Sequence, residues 1–235
     1  PIAIPVMCSE TGEGSANEEI PTTIRRDLDV SGFFEVLDPK GYLETAGKCG
    51  APEATAFSDW TVIGSEGLVK GLVSVRGSRI KAQLFLLDVQ KQARVLAKEY
   101  EGDLSQARKI AHRFANDIVK YYTGFPGVFG TEIAFSSRVG RFKELFVMDM
   151  DGSNLRQLTN ERALAMSASW DPSGTRLVYT SFRNRTPDLF LMTVASKSTR
   201  QITRTVELEI GSHFLGSEQL LTSRTEGGDS DIVLM

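Results

Sequence analysis

Two histidines and two cysteines in 235 residues leave little material for a metal centre or a nucleophilic triad. His112 and His213 stand far apart, and neither has a second His or Cys at metal-ligand spacing, so no metal site is expected. The pattern Gly-x-Ser-x-Gly is absent, which removes the nucleophile elbow of a serine hydrolase. No run of about 18 apolar residues occurs, so no helix is expected to insert into a bilayer. Neither sign of charge dominates: 27 basic and 30 acidic side chains give a net charge of −3. Such a chain has no global field to gather nucleic acid or an anionic membrane.

What is present falls into two halves with different periodicity. Up to about residue 128, helical and strand patterns alternate. IAIPVM at 2–7 reads as a buried strand, and a polar, Gly-rich loop follows it. Ile20, Ile24 and Leu28 recur at a spacing of four, predicting a helix over 18–31 capped by Asn17 and stopped by Gly32. Phe33–Leu37 reads as a short strand, and 40–56 as a loop with at most one helical turn. Three strand-like runs come next, Gly67–Arg76, Arg79–Val89 and Arg94–Tyr100, joined by short turns that predict an antiparallel meander. In the middle run Ile80, Ala82, Leu84 and Leu86 fall on one face and Lys81 and Gln83 on the other. Leu104–Tyr122 is the clearest helix, with Asp103 placed to cap it and Gly124 to close it. Its apolar stripe is Ala107, Ile110, Ala111, Phe114 and Ile118, and His112 lies beside that stripe as a packing or surface residue. Gly124-Phe125-Pro126-Gly127 punctuates the chain, which predicts an α+β domain over 1–128 and a second domain over 129–235.

From about residue 130 helical periodicity gives way to a repeat. Leu145-Phe146 matches Leu189-Phe190, Met148 matches Met192, and Leu158-Thr159 matches Ile202-Thr203, each pair 44 residues apart. Each copy reads strand, polar turn, strand, turn, strand and a looser return segment, the pattern of a four-stranded propeller blade. At 44 residues per copy, residues 131–235 hold about 2.4 blades, and a closed ring needs roughly 4 to 8. The chain also begins at Pro1 within an apolar run, without an initiator Met or a leader. The start predicts that an upstream segment has been removed, and the blade count predicts either a portion of a longer protein or a degenerate relative of a closed propeller.

Three motifs fall short of the chemistry they suggest. The loop Ser9–Glu19 sits where a phosphate loop would, yet Glu10, Glu13, Glu18 and Glu19 repel phosphate and no Lys is present. GYLETAGKC at 41–49 has five residues between its glycines where a P-loop has four, and ends in Cys49 where magnesium needs Ser or Thr. Asp149-Met150-Asp151-Gly152 starts like a calcium loop, but Asn154 replaces the required glycine and Asn160 the closing Glu. A hairpin turn at Asp151-Gly152 is the reading there, and no cofactor is expected anywhere in the chain.

The blade pattern, with WDPSG at 170–174 and LFVMDMDG at 145–152, resembles the propeller of the TolB family. PIAIP at 1–5, SGFFEVLD at 31–38, FSDWTVIGSEGLVKG at 57–71 and AHRFANDIVKYYTGFPGVFGTEIAFSS at 111–137 resemble further segments of that family, in its order. The resemblance implies an α+β amino-terminal domain followed by an all-β propeller of six blades. It implies a periplasmic, non-enzymatic protein of the Tol–Pal system, which binds a TolA-like inner-membrane protein and a Pal-like peptidoglycan-associated lipoprotein and supports envelope integrity during division. In an oxidising periplasm Cys8 and Cys49 either form one disulfide, closing about 41 residues for roughly 3–4 kcal/mol, or remain two thiols. Exposed turn residues of a rigid scaffold are the candidate contacts: Arg138, Arg141, Arg183, Asn184 and Arg185. The alternative is the regulatory propeller of a peptidase whose hydrolase domain lies outside this sequence.

Overall fold

A computed structural model describes residues 1–9, 14–43 and 55–235. The chain divides into two compact units, Pro1–Gly130 and Thr131–Met235.

In the first unit two short strands, β1 (Ile2–Ala3) and β2 (Cys8–Ser9), run parallel to β3 (Gly67–Arg76). β3 then pairs antiparallel with β4 (Arg79–Asp88), and β4 with β5 (Ala93–Asp103). The meander thus forms as its spacing predicts. The predicted strand 2–7 is broken around Pro5, which has no N–H to give a ladder. Phe33–Leu37 contributes only a single bridge, Val36 to Ile2.

Helix α1 (Ala16–Val30) begins two residues before the predicted start, and Asn17 lies within it instead of capping it. The Asn17 amide is committed elsewhere: Nδ2 donates to the Met7 carbonyl at 2.9 Å. Pro21 explains the other half of this contact. A helical residue 21 would normally donate to the carbonyl of residue 17, but proline has no N–H. The Asn17 carbonyl is left for Met7, whose N–H reaches it at 3.1 Å. A local break in the helix ladder thereby fastens α1 to the segment between β1 and β2.

A short helix, α2 (Phe57–Val62), precedes the meander, and α3 (Ala107–Thr123) follows it after a 3-10 turn at Leu104–Gln106. Asp103 makes no side-chain capping bond, whereas Gly124 closes α3 at φ 80°. α1 and α3 pack on one face of the sheet. Ile20, Ile24 and Leu28 are fully buried there against Ile110, Ala111, Phe114 and Ile118, over Val69, Val73, Ala82, Leu84 and Leu86. Each of these larger side chains contributes about 1.5–3 kcal/mol by leaving water. On the opposite face Trp60 of α2 covers Leu68, Leu87 and Val89, stacking edge-on against Tyr42 at 5.1 Å. Gly71 is closely covered: a Cβ there would fall 2.6 Å from both Met7 Sδ and Leu84 Cδ2, so those side chains would have to shift.

The second unit contains three antiparallel sheets. β6 (Glu132–Val139), β7 (Phe142–Asp149) and β8 (Arg156–Gln157) form the first. β9 (Ala165–Trp170), β10 (Arg176–Asn184), β11 (Thr186–Thr193) and β12 (Ser198–Gln201) form a complete four-stranded blade. β13 (Leu208–Leu215), β14 (Gln219–Glu226) and β15 (Asp229–Leu234) form the third. The sequence repeat and the blade are out of phase. The return segment at the end of each copy is a full strand, β9 or β13, and it pairs with the first strand of the next copy. Each copy is tied to its successor through backbone bonds, not only through apolar contact.

The repeated residues have a common task. Leu158 and Ile202 return their N–H groups to the carbonyls of Leu145 and Leu189 at 2.8 and 2.7 Å. The hydroxyls of Thr159 and Thr203 accept the N–H groups of the same two leucines at 2.8 and 2.9 Å. The Leu-Thr and Ile-Thr pairs thus close the outer edge of successive sheets. Between the first two sheets Leu145, Val147, Ala165, Leu177, Tyr179, Phe190 and Met192 form a buried core.

WDPSG makes the turn between β9 and β10. The buried Asp171 carboxylate accepts from the Thr175 and Arg176 backbones at 2.9 Å each, from Ser173 Oγ at 2.7 Å and from Arg176 Nε at 3.0 Å. Burial alone would raise its pKa, but the bonds from Arg176, Ser173 and Thr175 outweigh burial and hold it at about 2. A depressed carboxylate stabilises the fold above its ordinary pKa, and that contribution disappears as pH falls through the folded-state value. Asp171→Asn should therefore cost about 2 kcal/mol at pH 7, with the deficit closing between about pH 4 and pH 2. Urea melts of the two proteins across that range check this.

Candidate interaction surface

Of the five candidate contact residues only Arg141 and Arg185 lie in hairpin turns; Arg138 is on β6, and Arg183 and Asn184 are on β10. β6 and β7 meet through Gly140-Arg141, with Val139 opposite Phe142. β10 and β11 meet through Arg185, which adopts φ 77°. Arg141 and Arg185 are 44 residues apart and so occupy the same place in consecutive sheets. The structure brings Arg138 and Arg141 to one hairpin end, and Arg183, Asn184 and Arg185 to the next.

The five are not equally available. Arg183 donates to Glu161 Oε1 at 2.9 Å, and its guanidinium lies 3.8 Å from the Phe190 ring centre. Asn184 reaches Asp188 at 3.4 Å. Arg141 lies over the neighbouring Phe142 ring at 4.9 Å while remaining exposed. Arg138 and Arg185 are exposed and have no ion-pair partner among the described residues. Arg183 and Asn184 thus serve the fold, leaving Arg138, Arg141 and Arg185 directed at solvent.

Glu161 is a residue that sequence reading passed over. Lying between β8 and β9, it accepts from Tyr179 Oη at 2.7 Å, from Arg183, and from Ser181 Oγ in a short hydrogen bond. Burial, and then the bond to Glu161, push the Tyr179 phenol well above its usual range. The clamp joins the segment leaving one sheet to the strand pair of the next. Ser169 and His213, also 44 residues apart, meet at 2.8 Å on β9 and β13. The repeat period alone would have pointed to that pair.

His112 is buried in the first unit, and its Nδ1 lies 2.7 Å from Oδ2 of the fully buried Asp27. The pair joins α1 to α3 across 85 residues, and no spacing rule would reveal it. Asp149-Asp151-Gly152 is a turn, as its glycine predicts. Gly152 N–H donates to the Asp149 carbonyl at 2.8 Å, and the two carboxylates accept from Asn154 at 2.6 Å and from the Ser153 backbone at 3.0 Å. Cys8 lies half-buried on β2. Cys49, the other cysteine of the disulfide-or-thiols alternative, lies outside the described residues, as do most of the Gly41–Cys49 motif and residues 10–13 of the acidic loop. No helix among the described residues is long and apolar enough to cross a membrane.

Comparison with known proteins supplies the family. Residues 1–95 match the TolB amino-terminal domain and residues 119–235 the TolB beta propeller domain. The Tol-Pal system protein TolB of Anaeromyxobacter dehalogenans strain 2CP-1 is 38% identical over 174 residues, covering 74% of this chain and 40% of the relative. The Syntrophotalea carbinolica protein of the same name is 32% identical over 157 residues, covering 66% of this chain and 36% of the relative. The chain thus matches about two fifths of the length of these curated relatives. The crystal structure of TolB from Acinetobacter baumannii superposes on the whole chain with a TM-score of 0.85, at 23% identity and over 57% of that protein, which establishes the shared fold. With both domain types matched in order along one chain, and with three stacked sheets built on the repeat, this protein belongs to the TolB family.

Proposed function

We propose that the chain acts as a non-enzymatic protein-interaction scaffold of the Tol–Pal system. In this reading residues 1–128 form the amino-terminal domain and residues 129–235 the first part of the propeller. The protein works in the periplasm, where it engages a Pal-like lipoprotein and a TolA-like inner-membrane protein and supports outer-membrane integrity and division. The observation that carries the reading is the succession of the two TolB domain types along the chain. The outward arginines Arg138, Arg141 and Arg185 give the propeller portion a contact chemistry, since Arg is favoured at interfaces and turns on a rigid scaffold carry function.

A pull-down from envelope extract with the tagged complete protein tests this. Recovery of a peptidoglycan-associated lipoprotein or of a TolA-like protein is expected, reduced several-fold when Arg141 and Arg185 are both alanine. Recovery of neither, from a folded protein, would falsify the reading. An α/β-hydrolase domain with a nucleophile elbow on the same polypeptide would favour the peptidase alternative.

A further inference from the structure

At the turn end of the β3–β4 hairpin two arginines face each other. Arg76 and Arg79 are the last registered pair before Gly77-Ser78, so their side chains leave the same face of the sheet. This is the face opposite α1 and α3, since the residues alternating with them, Val73, Val75, Ile80 and Ala82, belong to the helix-side core. The next pair along that face is Ser74 with Lys81, and the next Leu72 with Gln83. These six residues, together with Ile80 and the acidic Glu101, line a cavity of about 450 Å³.

The charges within it are satisfied unevenly. Lys81 is neutralised by β5, at 2.8 Å from Glu99 and 3.7 Å from Glu101. Gln83 donates to Glu99 at 2.7 Å. Arg76 and Arg79 are exposed and have no ion-pair partner among the described residues. Asp103 is opposite Arg79 in the β4–β5 register, yet no ion pair joins them. Two like charges directly opposite in a sheet cost stability, and here the fold leaves that cost uncompensated.

We propose that this cavity is a docking site for an acidic peptide segment of a partner protein, with one carboxylate of that segment held by Arg76 and Arg79. A guanidinium fork matches a carboxylate bidentately, and Arg76 and Arg79 present two such forks from directly paired positions of adjacent strands. The Ser74 hydroxyl offers a hydrogen bond beside that point, and Leu72 gives apolar floor. The row Glu99, Glu101 and Asp103 decides which anion fits. It repels phosphate dianions and polyphosphate backbones, but accommodates a peptide bearing one well-placed acid. The proposal concerns the sheet of the first unit alone and holds whatever the propeller binds.

Fluorescence anisotropy tests it with the full chain and a labelled, end-blocked hexapeptide of Gly and Ala that carries a single central Glu. The control peptide carries Gln in place of Glu, and inorganic phosphate serves as competitor. Saturable binding of the Glu peptide is expected, weakened about tenfold by R76Q or R79Q alone and lost in the double variant. The Gln peptide is expected not to bind, and millimolar phosphate not to compete. Both arginines are exposed, so the variants should keep the parent's circular dichroism and melting temperature, or melt slightly higher as the like-charge pair is removed. Absence of binding by the parent, equal binding of the Gln peptide, or full affinity in the double variant overturns the site. Efficient competition by phosphate overturns the assignment of the ligand as a carboxylate. As a second check, R79E should abolish binding more completely than R79Q; equal affinities in the two would count against a charge-directed contact.

Discussion

Asp27→Ala is expected to destabilise the first unit by about 3–5 kcal/mol. Asp27 is fully buried, and its Oδ2 lies 2.7 Å from His112 Nδ1, where an ionised carboxylate can only accept. Alanine leaves a buried imidazole N–H without this acceptor, and a void where the carboxylate stood. The cost is high because neither group is near bulk water to recover the lost bond. Asp27→Asn keeps the shape and one acceptor oxygen, and should cost about 1–2 kcal/mol. Urea denaturation followed by circular dichroism measures both. A double-mutant cycle with His112→Ala should return a coupling of at least about 1 kcal/mol. A loss below about 1 kcal/mol for Asp27→Ala would place the pair in the class of exposed ion pairs and contradict this account.

In the second unit, Glu144→Ala should cost about 3–4 kcal/mol. The Glu144 carboxylate is buried and accepts three bonds: Thr159 Oγ1 at 2.6 Å, the Glu161 N–H at 3.1 Å and the Arg162 N–H at 2.8 Å. Removing it strands two backbone donors and one hydroxyl together. The hydroxyl is the one that accepts the Leu145 N–H, so the edge closure of the first sheet loosens as well. The two freed amides lie in the segment that carries the Glu161 clamp, so the effect should spread toward Tyr179. Hydrogen exchange should show faster exchange at Glu161 and Arg162, with the amides of the first unit unchanged. The residue 44 positions on, Asp188, accepts only side-chain donors, Gln201 at 2.9 Å and Asn184 at 3.4 Å. Asp188→Ala should therefore cost less than Glu144→Ala.

The contrast between these two positions shows what the sequence displayed and what it hid. Apolar spacing made the helices and the meander legible, because burial against a sheet demands one stripe or one face. Ile20, Ile24 and Leu28 point inward as their interval of four requires, and Ile80 to Leu86 as their interval of two requires. The repeat was legible because the first two sheets close with the same hydroxyl-to-amide bond, which holds Thr159 and Thr203 in register. The phase of the blades was not. A 44-residue period gives the unit length but not the pairing, and the strand at the end of each copy is mixed in polarity. Asn17 misled as a cap because a contact with Met7, prepared by Pro21, outweighed the local preference. The Asp27–His112 pair and the Glu161 clamp were invisible, since nothing periodic brings together a residue on α1 and one on α3. Among the turn residues, sequence reading found the exposed arginines but could not separate Arg141 and Arg185 from Arg183, which a buried-side carboxylate and the Phe190 ring hold in place.

The central claim is that this TolB-family chain works through protein contact, with the propeller turns as part of the contact surface. Surface plasmon resonance with the complete protein immobilised and the purified soluble domain of a Pal-like lipoprotein as analyte tests it most directly. The account predicts saturable binding that weakens about tenfold or more in the Arg141→Ala/Arg185→Ala variant, at unchanged melting temperature. Absence of binding by a cooperatively folding protein would contradict the scaffold reading, and undiminished binding by the double variant would contradict the role given to its turns.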